Sequence, residues 1–222
     1  MRKSNADSST TTTTTESESS RALELTEKIL GLAVTGVGPF KSAETVAEEA
    51  LSTHKDPEVA IQRLLASHRR VVGATGFATG VGGLVTMPVT IPADVTTFYA
   101  NAARMCAAIA HIRGYDITSD EVRSGVLISL LGAGAGAAVG AVGVEIGHKI
   151  AIAQLTRLPG SVLIKINKAV GFRLLTKFGT KGAVNLVKIV PFVGGGIGAG
   201  VNVMTLNGIH RYASNLFTPV GP

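Results

Sequence analysis

Absences narrow this 222-residue chain first. A single cysteine, Cys106, excludes an internal disulfide and any cysteine-built metal site. It suits a reducing compartment. There is no tryptophan, aromatics make up 5% of residues, and charged residues make up only 16%. No acidic residue follows Glu145. No run alternates apolar and polar residues in the manner of a half-buried strand, so the expected class is all-α.

The chain is long enough for one sizeable core. Three parts are expected: a disordered tail over 1–20, N-terminal helices over 21–55, and the main helical domain over 56–217. The tail, MRKSNADSSTTTTTTESESS, has almost nothing apolar to bury against its ordering entropy. Its basic start leads into hydroxyls, not the apolar stretch of a secretory signal.

Charge is distributed unevenly. After Glu145 come Lys149, Arg157, Lys165, Lys168, Arg173, Lys177, Lys181, Lys188 and Arg211. The net charge is +6, so residues 1–145 carry −3. Such a basic block suits an anionic partner. No recognisable nucleic-acid motif accompanies it, so nucleic acid is not the expected partner. Between Ser161 and Val190 the cations interleave with Leu163, Ile164, Ile166, Phe172 and Leu174, the pattern of a basic amphipathic helix on an anionic membrane. The residues expected to touch lipid are Lys165, Lys168, Arg173, Lys177, Lys181 and Lys188. The alternative is the solvated face of a bundle helix.

Helix signals are plain in places. Asp56-Pro57-Glu58 reads as a cap, a first helical residue and a dipole-compatible acid. Pro88 and Pro92 are expected to break or kink any helix there, with a new one starting near Ile91 or Pro92 and ending at Gly114. Thr118 to Glu121 reads as a capping box. Leu158-Pro159-Gly160 reads as a turn.

What the chain has in abundance is glycine, 27 residues. GAGAGAAVGAVGVEIGHK, residues 132–149, offers only a relaxed dinucleotide fingerprint. It follows a helical pattern instead of a strand, with no acid beyond Glu145 to hold a ribose, and no G-K-[ST] ends it. Spacing gives the better reading. Gly132, Gly136 and Gly140 recur every four residues, as do Gly76 and Gly80, and Gly196 and Gly200. On a helix this makes a smooth stripe against which another helix packs closely, as in membrane helix pairs. Three uncharged stretches, 71–93, 124–144 and 189–209, approach spanning length, but Gly, Thr, Ser and Pro dilute them. Shallow insertion or burial in a bundle ranks above full spanning.

The stretch GLVTMPVTIPADVTTFYANAARMCAAIAHIRGYD carries Gly83, Pro88, Pro92 and Asp94, and ends in Ala110, Gly114, Tyr115 and Asp116. VKIVPFVGGGIGAGVNVMTLNGIHRYA places Pro191 before a glycine-rich helix ending near Ala213. Together they resemble the EcsC family over about residues 60–217. The resemblance implies a bacterial helical protein without an agreed catalytic motif. The family's founding member is named from an operon with an ABC transporter, so a transporter complex joins the anionic membrane surface as an expected partner.

Candidate chemistry is sparse. Glu145 and His148 form E-x-x-H, one copy of the pair that di-iron bundles use twice, and Asp94 is a third possible metal ligand. The plainer reading makes Asp94 a helix cap and leaves Glu145 and His148 at a helix end. His210 is expected at a surface or interface. The sequence therefore points to a non-enzymatic, membrane-associated accessory protein on the inner face of the membrane, with no cofactor. The alternatives are a metal-dependent enzyme and, for location, an integral membrane protein.

Overall fold

A computed structural model describes residues 6–37, 40–82, 87–143, 152–178 and 191–220. Among these residues the chain is helical, with no named strand and one isolated bridge between Val37 and Phe40. The helices are α1 (Ala6–Val34), α2 (Ala43–Thr53), α3 (Pro57–Gly82), α4 (Met87–Ile112), α5 (Asp120–Ser129), α6 (Ala135–Gly140), α7 (Ile152–Leu155), α8 (Gly160–Phe178) and α9 (Pro191–Leu216).

Local chemistry sets many of the boundaries. The backbone of α1 turns helically through the Ser/Thr run, ahead of the expected start after Ser20; its first buried side chain among those described is Ala22. The helix gives way at Gly36, where φ is +69° and a Cβ would fall 2.5 Å from the Phe40 carbonyl oxygen. Ser42 caps α2 by accepting from the Thr45 amide. Asp56 caps α3, its Oδ1 accepting from the Glu58 and Val59 amides.

Two expectations shift. The helix expected from Ile91 starts at Met87, so Pro88 lies in its first turn, where a missing N–H costs nothing, and Pro92 lies within it. The N-cap of α5 is Ser119, which accepts from the Val122 amide, and not Thr118. Thr118 instead donates both its amide and its hydroxyl to Asp116 Oδ1. That pairing closes the turn and holds the Asp116 carboxyl below the usual carboxylate range.

The core is organised around α4, which packs against α1, α2, α3, α5 and α9. Its composition permits this. Ala102, Ala103, Ala107, Ala108 and Ala110 are fully buried, and their small side chains let neighbours approach from several directions. Tyr99, Met105 and Ile109 fill the remaining space, together with Leu127, Ile128 and Leu130 on and just after α5. Cys106 is wholly buried, which pushes its thiol far above its ordinary value and keeps it protonated.

Arg113, just past α4, ties this hub to the end of α9. Its Nη1 donates to the Ser214 and Phe217 carbonyls at 2.6 Å each, satisfying oxygens that a helix C-terminus leaves open. Its Nη2 meets Glu58 Oε1 at 2.7 Å.

Candidate functional site

The most distinctive surface lies where α3 and α9 pack along each other, the most extensive helix pairing in the fold. Gly76 and Gly198 meet there. A Cβ on Gly198 would sit 2.7 Å from the Gly76 carbonyl oxygen, and one on Gly76 would sit 2.9 Å from the Gly198 oxygen. No side chain fits between these backbones, which explains glycine at both positions. Asn202 Nδ2 donates to the Val72 carbonyl at 3.2 Å, and Arg69 Nε donates to Asn207 Oδ1 at 2.6 Å.

Beyond this crossing the pair leaves apolar groups in solvent. Val71 and Phe77 on α3 are 44% and 54% exposed, and Val201 and Met204 on α9 are 50% and 77% exposed. No Asp, Glu, Lys or Arg occurs between Arg70 and the end of α3, or in α9 before Arg211. Arg69 and Arg70, both exposed, stand where the uncharged stretch of α3 begins. An uncharged helix pair with large exposed apolar groups and cations at one boundary has the layout of a shallow lipid contact.

The second surface is α8. Leu163, Ile166, Val170 and Leu174 face the core. Gly171 lets the helix lie on α1, since a Cβ there would overlap the Ala22 carbonyl oxygen. The opposite face carries Lys165 and Lys168 beside Ile164 and Phe172, which are 53% and 45% exposed. Arg173, grouped by sequence with the lipid-facing cations, is used internally. Its Nη1 donates to the Gly134 carbonyl at 3.0 Å and its Nη2 to the Ala137 carbonyl at 2.8 Å. Lys177 is in α8 with its side chain outside the described residues, and Lys181 and Lys188 lie outside them altogether.

The other expected site residues divide in the same way. Glu145 and His148 lie outside the described residues, as does the side chain of Asp94. Because α4 starts at Met87, Asp94 is well inside that helix and is not its N-cap. The glycine stripe of 132–140 is not one continuous helix. Gly132 has φ +54° and opens a 3₁₀ turn to Gly134, so that the 132–140 segment turns 114° away from α5. Gly132 lies against the Gly208 backbone of α9, 3.6 Å from where its Cβ would be. At Gly136, Gly140, Gly196 and Gly200 no described atom comes within 4 Å of that position. Gly80 is in α3, but its packing lies outside the described residues. His210, expected at a surface or interface, is 9% exposed. Burial lowers its pKa, aided by Arg69 and Arg113 and opposed by Glu58.

One acidic-histidine group was not anticipated. Glu44 and Glu48, one turn apart on α2, and His111 near the end of α4 bring ligand atoms within 4.8 Å of one another. The i, i+4 glutamates are visible in sequence; the histidine, from another helix, is not. The two carboxylates are exposed and His111 is half-buried.

Among the described residues no single helix is long and apolar enough to cross a membrane. α5 and the 132–140 segment reach that length only as a bent pair, and Val122 and residues 124–129 of α5 are buried. No family model, curated protein or solved structure matches the chain.

Proposed function

We propose that this is a membrane-associated, non-enzymatic helical protein that rests on the anionic inner face of a membrane and supports another membrane process through lipid or protein contacts. The observation that carries this reading is the α3–α9 pair, with Phe77, Val201 and Met204 exposed on stretches without a formal charge. Large exposed apolar groups on one uncharged helix pair mark a candidate interaction surface. Lipid suits this surface because the uncharged stretches carry no group whose burial among acyl chains would need a charged partner.

Lys165 and Lys168, with Ile164 and Phe172, supply a second contact that draws on headgroup charge. The resemblance to the EcsC family supports the same class of accessory role, with a transporter complex as the protein partner.

Flotation of the full chain with liposomes tests this directly. Binding is expected to require anionic lipid and to weaken in high salt. A Phe77→Ser, Met204→Ser double variant is expected to bind at least about tenfold more weakly, since each large apolar group contributes about 1.5–3 kcal/mol when buried. Lys165→Glu with Lys168→Glu is expected to cost about tenfold or more, at about 1 kcal/mol per cation near the surface. Unchanged flotation of both variants, with their helical circular dichroism intact, would refute the reading. Resistance to carbonate would assign the main contact to the α3–α9 pair over the lysines.

A further inference from the structure

Between α2, α3 and α4 lies a cavity of about 220 Å³, lined by Lys41, Val46, Ser67, His68, Val71 and Arg104. A smaller, separate cavity of about 50 Å³ is lined in part by Phe40 and Asn101, and Arg104 borders both. The polar groups here are incompletely satisfied, and they differ in a way that specifies a ligand.

His68 is 3% exposed. Its Nδ1 is 2.9 Å from the Leu64 carbonyl oxygen, so Nδ1 carries the proton and donates. Nε2 is then an acceptor, and it has no hydrogen-bond partner. Burial, with the nearby Arg104 charge adding to it, lowers the His68 pKa to about 4 against the opposing Leu64 bond, so the ring is neutral at ordinary pH.

Arg104 is half-buried and has no carboxylate partner among the described residues. Its Nη2 donates to Asn101 Oδ1 at 2.5 Å, and its guanidinium carbon stands 5.9 Å from the centre of the Phe40 ring. Arg104 Nε and Asn101 Nδ2, both donors, are buried without partners. Lys41 adds a cation and is paired with Glu49. The cavity thus combines two cationic side chains, Lys41 and Arg104, with an unpaired neutral acceptor on His68. A buried polar group without a partner is costly, so such a set calls for an occupant that satisfies both kinds.

We propose that this cavity is a binding site for a phosphate group carrying a proton, either free phosphate or a phosphomonoester headgroup, with Arg104 donating to its anionic oxygens and His68 Nε2 accepting from its hydroxyl. An ionised carboxylate or a sulfate has the anionic oxygens and lacks the hydroxyl. A protonated phosphate offers both from one tetrahedral group.

The site stands independently of the membrane reading and is tested without vesicles. Calorimetric titration of the full chain at about pH 6, where phosphate groups keep a proton, compares inorganic phosphate with sulfate. Phosphate is expected to bind at least about tenfold more tightly, because sulfate leaves Nε2 unpaired. Arg104→Gln is expected to weaken phosphate binding at least about tenfold, with an unchanged melting profile. His68→Leu is expected to bring phosphate and sulfate to equal affinity; if that variant fails to fold, the phosphate-to-sulfate ratio of the unaltered chain tests His68 by itself. Equal binding of the two anions, no binding of either, or phosphate binding indifferent to Arg104→Gln would overturn the proposal. Vesicles holding a phosphomonoester lipid, against vesicles of equal charge holding a phosphodiester lipid, then separate the two sources. A preference for the monoester that Arg104→Gln removes assigns a headgroup. Phosphate binding without that preference assigns free phosphate.

Discussion

Glycines serve opposite ends in two regions of this molecule. At Gly76, Gly198 and Gly171 they bring helix backbones together, and in each case a Cβ would strike a carbonyl oxygen of the opposing helix. Between Gly132 and Gly140 they bend the chain instead: a left-handed residue, a 3₁₀ turn and six residues of α6, with no described atom within 4 Å of a Cβ position at Gly134, Gly136 or Gly140. Local composition does not separate these uses. The partner helix does, because a small-residue stripe becomes a contact only where another backbone arrives in register.

The comparison breaks most sharply at Gly171. Gly171→Ala would gain up to about 1 kcal/mol of helix propensity, but its Cβ overlaps the Ala22 carbonyl, which α1 holds in place. A net loss of about 3 kcal/mol is expected, read as a shift of the urea midpoint. A neutral Gly171→Ala would show that α1 and α8 do not rely on close approach.

The close-packed side also has its own pH response. His68 on α3 and His210 on α9 both have lowered pKa values, with desolvation the largest cause. A histidine depressed in the folded state gives stability that is complete above its unfolded value, near 6.5, and is lost as pH falls toward the folded one. For His68 the window runs from 6.5 down to about 4. Each unit of difference is worth about 1.4 kcal/mol, so its full effect is about 3 kcal/mol. Urea unfolding across that range is expected to show the loss, with a flatter profile for His68→Leu. Equal slopes for the two proteins would remove His68 as the cause.

Gly198→Ala is expected to cost about 2 kcal/mol. The clash with the Gly76 carbonyl oxygen is at 2.7 Å, and relief requires α3 and α9 to separate slightly. A Gly200→Ala control two residues away should be close to neutral or stabilising, since no described atom approaches it. If the two variants lose stability equally, the contact lies on the face that contains Gly200.

That pair of positions shows how far the sequence could be read. The four-residue spacing of Gly196 and Gly200 indicated close packing of this helix, but the contact is at Gly198, two residues away and nearly on the opposite face. Only the position of α3 selects between those faces. Gly171 has no small residue four positions to either side, so spacing gave it no signal. Helix starts governed by a local side chain, such as Asp56, were legible because the cap and the amides it satisfies lie within three residues. Arg173 was legible as a cation but not in its use, since its carbonyl acceptors lie 36 and 39 residues earlier. The cavity at His68 was invisible for the same reason: Lys41, His68 and Arg104 belong to three segments that only the folded bundle brings together.

The smallest predicted effect is also the one that most directly separates the two kinds of glycine. Gly136 is exposed within α6, with ordinary helical backbone and no described atom within 4 Å of a Cβ position. Alanine there meets nothing, restricts the unfolded chain and improves helix propensity, so Gly136→Ala is expected to stabilise the protein by about 0.5–1 kcal/mol. The opposite sign at Gly171 makes the pair diagnostic, because both substitutions add the same methyl to a helix. A clear loss at Gly136 would mean that a second surface, a bilayer or another protein, presses on the bend and uses its glycines as α1 uses Gly171. Repeating the measurement with and without anionic vesicles would show whether that surface is lipid.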